Sequence, residues 1–152
     1  YDNTQLAYTY ICAFQLSRDP GLANTARGVL DYLRRDMTSK TEPGGGLFSA
    51  EDADSLNPKA NRKTEGFFYV WRFEDVRAVL GSDAELFCDV YSLKPEGNCT
   101  LSSMSDPHNE FKGYNVPIRL QTLQQEATKH RLQVHEAEAT LARCHEKLHK
   151  VR

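Results

Sequence analysis

Glu51, Asp52 and Asp54 place three carboxylates within four consecutive positions, just after the glycines Gly44, Gly45 and Gly46. Carboxylates this close can hold a divalent cation, move a proton as general acid or base, or cap turns by accepting backbone N–H bonds. A calcium loop of the EF-hand kind fails when counted from Asp52. Its fifth, sixth and twelfth positions would be Leu56, Asn57 and Lys63, where an oxygen ligand, a glycine and a glutamate are needed. Neither glycine-rich phosphate-loop pattern can be written through Gly44 to Ser55, and no cofactor is expected. A glycosidase pair needs two carboxyl groups roughly 5 to 10 Å apart across the scissile bond. One short segment supplies one partner more easily than both, so the second would come from elsewhere, such as Asp2. Glu51, Asp52 and Asp54 are therefore the catalytic candidates, with local turn capping as the competing role.

His145-Glu146-Lys147-Leu148-His149 spells H-E-x-x-H, in which two imidazoles one helical turn apart can hold zinc while the glutamate activates water. Only three residues follow His149, so no third ligand lies downstream in the chain. Leu141 and Leu148 also mark this turn as part of a packed helix. No metal is expected at His145, Glu146 and His149, whose face reads as solvated or cavity-facing. Cys12, Cys88, Cys99 and Cys144 form no C-x-x-C pair and are expected to be reduced and packed, which favours the cytoplasm. Asn98-Cys99-Thr100 matches a glycosylation sequon, which would matter only in the secretory pathway.

The elements that must position these residues follow from periodicity. With 152 residues, 39% of them hydrophobic, and a net charge of −2, the chain reads as one ordinary domain or part of one. It has no basic stripe for nucleic acid and no apolar run long enough to span a membrane, so neither is an expected partner. It opens on Tyr1, on what already reads as helix, and a fragment is expected. Leu6, Tyr10, Ala13 and Phe14 predict a first helix, stopped at Arg18-Asp19-Pro20-Gly21. Leu22, Ala26, Val29, Leu30, Leu33 and Met37 predict a second that returns beside it as an αα-hairpin. The aromatic run Gly66 to Trp71 predicts a buried strand pairing with Leu47-Phe48-Ser49, which places one short β-hairpin near 46–71. Phe73, Val76, Val79 and Leu80 predict a helix ended by Gly81, and Ser82-Asp83-Ala84-Glu85 predicts a capping box for the next, which carries Leu86, Phe87, Val90 and Tyr91. Residues 94–117 read as irregular loop. Leu120, Leu123 and Ala127, then Val134, Ala137, Leu141, Cys144 and Leu148, predict two last helices.

The order of motifs is specific: Tyr1-Asp2-Asn3 heading a helix, GGGLFSAEDADS about forty residues on, EGFFYVW, and later Gly113-Tyr114-Asn115-Val116. Over nearly the whole chain this resembles the spermatogenesis-associated protein 20 family, with its bacterial YyaL-type relatives. The resemblance implies a mainly α piece, residues 1–152, of an (α/α)6 toroid related to six-hairpin glycosidases and N-acylglucosamine 2-epimerases. It also implies an N-terminal thioredoxin-like domain that lies outside this chain. In such a toroid the acidic loop lies on a cavity rim, where Glu51, Asp52 and Asp54 would line a carbohydrate-like pocket. Tyr1, Asp2, Asn3, Phe68, Tyr69 and Trp71 would be the substrate-binding candidates beside them. The expected function is binding or regulatory, tied to spermatogenesis and fertility. The alternative is a sugar-processing enzyme using an acid of the Glu51 to Asp54 loop as general acid or base. Arg72 departs from the family's Thr or Ser and loses a side-chain N-cap; the segments 56–65 and 98–110 depart as well, and His145 and His149 have no family counterpart.

Overall fold

A computed structural model describes residues 1–41, 45–57, 61–102, 104, 106 and 108–152; Gly44, at the head of the acidic stretch, lies outside the described residues. The chain forms two compact units, Tyr1–Asp52 and Ala53–Arg152.

The first unit is a helical hairpin of α1 (Asp2–Ser17) and α2 (Pro20–Arg35). Arg18 ends α1 in the left-handed conformation, its N–H returning to the Phe14 carbonyl. Asp19 then caps α2, accepting from the Gly21 N–H at 2.8 Å, and Pro20 fills the first turn, where a missing N–H costs nothing. Ala7 and Ala26 are the buried residues of the two helices, and such small side chains let helix backbones approach closely. After α2 the chain doubles back: Ser39 N–H donates to the Gly46 carbonyl at 2.7 Å and Phe48 N–H to the Met37 carbonyl at 2.8 Å. Leu47 therefore bridges Thr38.

The second unit opens with an antiparallel hairpin, β1 (Asp54–Asn57) and β2 (Arg62–Glu65), with Asp54 opposite Glu65 and Asn57 opposite Arg62. A short β-hairpin does lie within 46–71, but its strands differ from those expected of the aromatic run. Gly66, at φ +73°, turns the chain out of the extended course, and Phe67–Tyr69 winds into one 3-10 turn, Tyr69 N–H bonding to the Gly66 carbonyl. Val70 N–H closes the same turn on the Phe67 carbonyl and Phe68 N–H donates to the Ser55 hydroxyl at 2.7 Å, so the run is a turn and not the strand expected to pair with Leu47-Phe48-Ser49. The chain is extended again from Val70, and Trp71 pairs with Asn115, exchanging bonds of 2.8 and 2.7 Å.

Beyond it come α3 (Phe73–Leu80), α4 (Ala84–Val90), α5 (Leu123–Lys129) and α6 (Val134–Lys150). Arg72 does sit at the α3 N-cap without a side-chain cap bond. The capping box expected at Ser82–Glu85 does not form. Gly81–Asp83 continues from α3 as a 3-10 turn, leaving Asp83 with helical dihedrals and no free first turn to cap. Its carboxylate instead meets Lys147 at 3.1 Å and Arg143 at 3.5 Å on α6. The Lys147 hydrogen bond, with both positive charges, outweighs partial burial and holds Asp83 below the usual carboxylate range. A capping box does form at α5, where Thr122 and Gln125 satisfy each other's N–H groups.

Val76, Leu80, Phe87, Val90, Ala127, Ala137, Leu141, Cys144 and Leu148 form one core between these helices. The long connection from α4 to α5 has no helix or strand among its described residues and is held by side-chain amides. Asn115 is fully buried, accepting from Lys94 N–H at 2.8 Å and donating to the Lys94 carbonyl at 3.0 Å. Asn98 accepts from Val116 N–H at 2.8 Å and donates to the Ser92 and Val116 carbonyls. The sequon asparagine is thus committed to backbone partners.

Candidate functional site

An open cavity of about 770 Å³ lies in the second unit, between the 3-10 turn, α4 and α6. Three elements position its walls. The 3-10 turn turns Phe68 and Tyr69 outward, 47% and 66% exposed, with their rings edge-to-face at 5.4 Å. The Trp71–Asn115 bridge fixes Trp71 and brings Val116 to the rim. Phe87 and Tyr91, four residues apart on and just after α4, present one aromatic edge, their ring centroids 4.6 Å apart.

The polar groups converge from α6. His145 Nε2 lies 2.7 Å from the Tyr91 hydroxyl, and its ring stands edge-on to Phe87 at 5.9 Å. Burial, helped by the positive charge of Arg119, lowers the His145 pKa, so the ring is neutral at pH 7 and pairs with Tyr91 as a neutral donor or acceptor. Burial likewise raises the Tyr91 phenol. The Arg152 guanidinium lies 4.1 Å over the Trp71 ring and donates to the Val70 carbonyl. Aromatic side chains around a neutral imidazole–phenol pair can bind a flat, hydroxyl-bearing ring by apolar contact and hydrogen bonds.

The sequence candidates divide between the two units. Tyr69 and Trp71 meet at this cavity, together with His145, Glu146 and His149. The H-E-x-x-H face is therefore cavity-facing, with Glu146 bonded to Lys150 at 2.7 Å and His145 to Tyr91. Tyr1, Asp2 and Asn3 head α1 in the first unit, where Tyr1 is 84% exposed. Glu51 and Asp52 close that unit, and Glu51 Oε2 accepts from the Tyr32 hydroxyl at 2.5 Å. Asp54 belongs to the second unit as the first residue of β1, and is exposed. Phe87, Tyr91, Val116 and Arg152 were not legible as site residues. The i, i+4 aromatic pair Phe87 and Tyr91 carried a signal, but it reads equally as core spacing.

Over 162 aligned positions spanning all of the chain, it is 33% identical to spermatogenesis-associated protein 20 of Mus musculus and 35% identical to that of Homo sapiens. An uncharacterised protein of Caenorhabditis elegans is 34% identical over 90% of the chain. The chain belongs to the spermatogenesis-associated protein 20 family. It spans about a fifth of the length of these relatives, 20% of the two mammalian proteins and 19% of the nematode one. No protein-family model matches it. Within the family-like sequence, the EGFFYVW and Gly113-Tyr114-Asn115-Val116 motifs are the two segments joined by the Trp71–Asn115 bridge, so both belong to the framework of the aromatic cavity.

Proposed function

We propose that this member of the spermatogenesis-associated protein 20 family binds a carbohydrate-like ligand in the aromatic cavity of residues 53–152. It would do so as a binding or regulatory module of a fertility-associated protein with a six-hairpin, carbohydrate-enzyme-like toroid. The rest of the toroid and a thioredoxin-like domain would be supplied by the longer protein. The observation that carries the reading is the meeting of Phe68, Tyr69, Trp71 and Tyr91 with a neutral His145 around one open cavity. Aromatic faces bury the apolar face of a sugar ring, and neutral donors and acceptors meet its hydroxyls without the desolvation cost of a charge.

Trp71 is the chain's one tryptophan, so its fluorescence reports directly on the cavity. Titration with a panel of monosaccharides and glycans is expected to change its emission saturably for at least one ligand. Tyr69→Ala should weaken that ligand about tenfold, equivalent to ~1.4 kcal/mol. Emission unaffected by the whole panel, in a chain with native circular dichroism, refutes the reading.

A second reading, a sugar-processing enzyme, is favoured by Glu51, an exposed carboxylate oriented by the Tyr32 hydroxyl. It predicts glycan turnover by the full-length protein that falls in Glu51→Gln or Asp54→Asn. Binding without turnover in any form leaves the module reading alone.

A further inference from the structure

A second cluster lies where α4 meets α5. We propose that Asp89, Glu126 and His130 bind a divalent cation of the zinc kind. One ligand atom from each lies within 4.8 Å of the others. In a tetrahedral zinc site two ligands at about 2.0 to 2.2 Å from the ion lie about 3.3 to 3.6 Å apart, so the set must draw together by about an ångström when the ion enters. Glu126, in the first turn of α5, and His130, at its C-cap, are four residues apart and share a face; Asp89 comes from α4.

The group that points to a cation is Glu126. The residue is only 7% exposed, and its buried Oε2 accepts no hydrogen bond among the described residues. Its ion pair with Lys129 is long, 3.8 Å. A carboxylate oxygen removed from water in this way is costly unless a positive centre approaches it. Asp89 Oδ2 is crowded by comparison, with His130 Nε2 at 2.8 Å and Lys129 Nζ at 2.7 Å. Lys129 is thus the cation of the metal-free state, reaching Asp89 closely and Glu126 poorly. Its side chain is 60% exposed on a flexible stem, so it can swing into solvent when a doubly charged ion takes its place. The negative charge of Glu85 also reaches Lys129, so the surroundings remain attractive to a cation once the ammonium leaves. A hollow of about 520 Å³, lined also by Glu85 and Arg77, opens Asp89 to solvent. Three protein ligands leave a fourth position for water, and the imidazole favours zinc over calcium or magnesium.

Calorimetric titration of the chain with Zn2+ tests this. The expected result is one saturable site per chain, weakened at least tenfold in Glu126→Gln and His130→Ala, and strengthened several-fold in Lys129→Met, which removes the competing ammonium. Zinc should also raise the melting temperature of the parent chain but not that of Glu126→Gln, while metal-free Glu126→Gln melts no lower than the parent. A His145→Ala/His149→Ala variant should bind as the parent does. The proposal is overturned by absence of one-to-one binding at micromolar Zn2+, by binding lost in the His145/His149 variant instead, or by Lys129→Met binding no tighter than the parent.

Discussion

The hairpin of residues 1–52 and the body of residues 53–152 are both mainly helical, yet they bury very different surfaces. In the hairpin, the helical side chains withdrawn from water are Ala7 and Ala26, while Leu6, Tyr8, Ile11 and Leu16 of α1 stand 37–89% exposed. In the body, Val76, Leu80, Phe87, Val90, Leu141 and Leu148 are all within 6% of full burial. Hydrophobic stabilisation scales with apolar area removed from water, so the body carries most of the packing energy while the hairpin rests on caps and close helix approach. The cavity walls belong to the better-packed region, where rigid supports can hold aromatic rings in place.

That contrast can be broken at several points. Leu80→Ala, removing a side chain 2% exposed, should cost about 2 to 5 kcal/mol and strip amide-exchange protection from α3–α6. A cost under about 1 kcal/mol would mean the body is not the packed region described. Asn115→Ala should come next, at about 1 to 3 kcal/mol, because it strips the Lys94 N–H and carbonyl of the fully buried amide that pairs with both, and proteolysis within residues 92–121 should accelerate. In the hairpin, Asp19→Ala removes the α2 cap and should cost about 1 kcal/mol, read as faster exchange in the first turn of α2.

A smaller effect is set by pH. His145 has a folded pKa below its ordinary value of 6.5, so the unfolded chain binds the proton more readily. Its contribution to stability is complete above pH 6.5 and declines as pH falls from there through the folded pKa. Comparing melting temperatures across that window with those of His145→Phe should remove this slope, and a slope unchanged in the variant would place the titration elsewhere. Smallest of all, Leu16→Ala, at a residue 89% exposed, should change stability by no more than ~0.5 kcal/mol in a thermal melt.

What the sequence by itself determined was whatever depends on near neighbours. The 3.6-residue stripes located each helix, Arg18-Asp19-Pro20-Gly21 marked the hairpin turn, and the motif order pointed to the spermatogenesis-associated protein 20 family. The aromatic run Gly66 to Trp71 misled because dense aromatics suit a buried strand and an exposed turn alike. One glycine with positive φ decided between them, and the residue that pairs with Trp71, Asn115, lies 44 positions away. Ser82–Glu85 carried a sound local capping signal, but the 3-10 turn continuing from α3 leaves no free first turn to cap, and Asp83 pairs with Lys147 and Arg143 of α6. Only the tertiary structure brought Tyr91 to His145 and Asp89 to Glu126 and His130. The Tyr91–His145 and Asp89–His130 hydrogen bonds join residues 54 and 41 positions apart, and no local periodicity records which helix face will meet which.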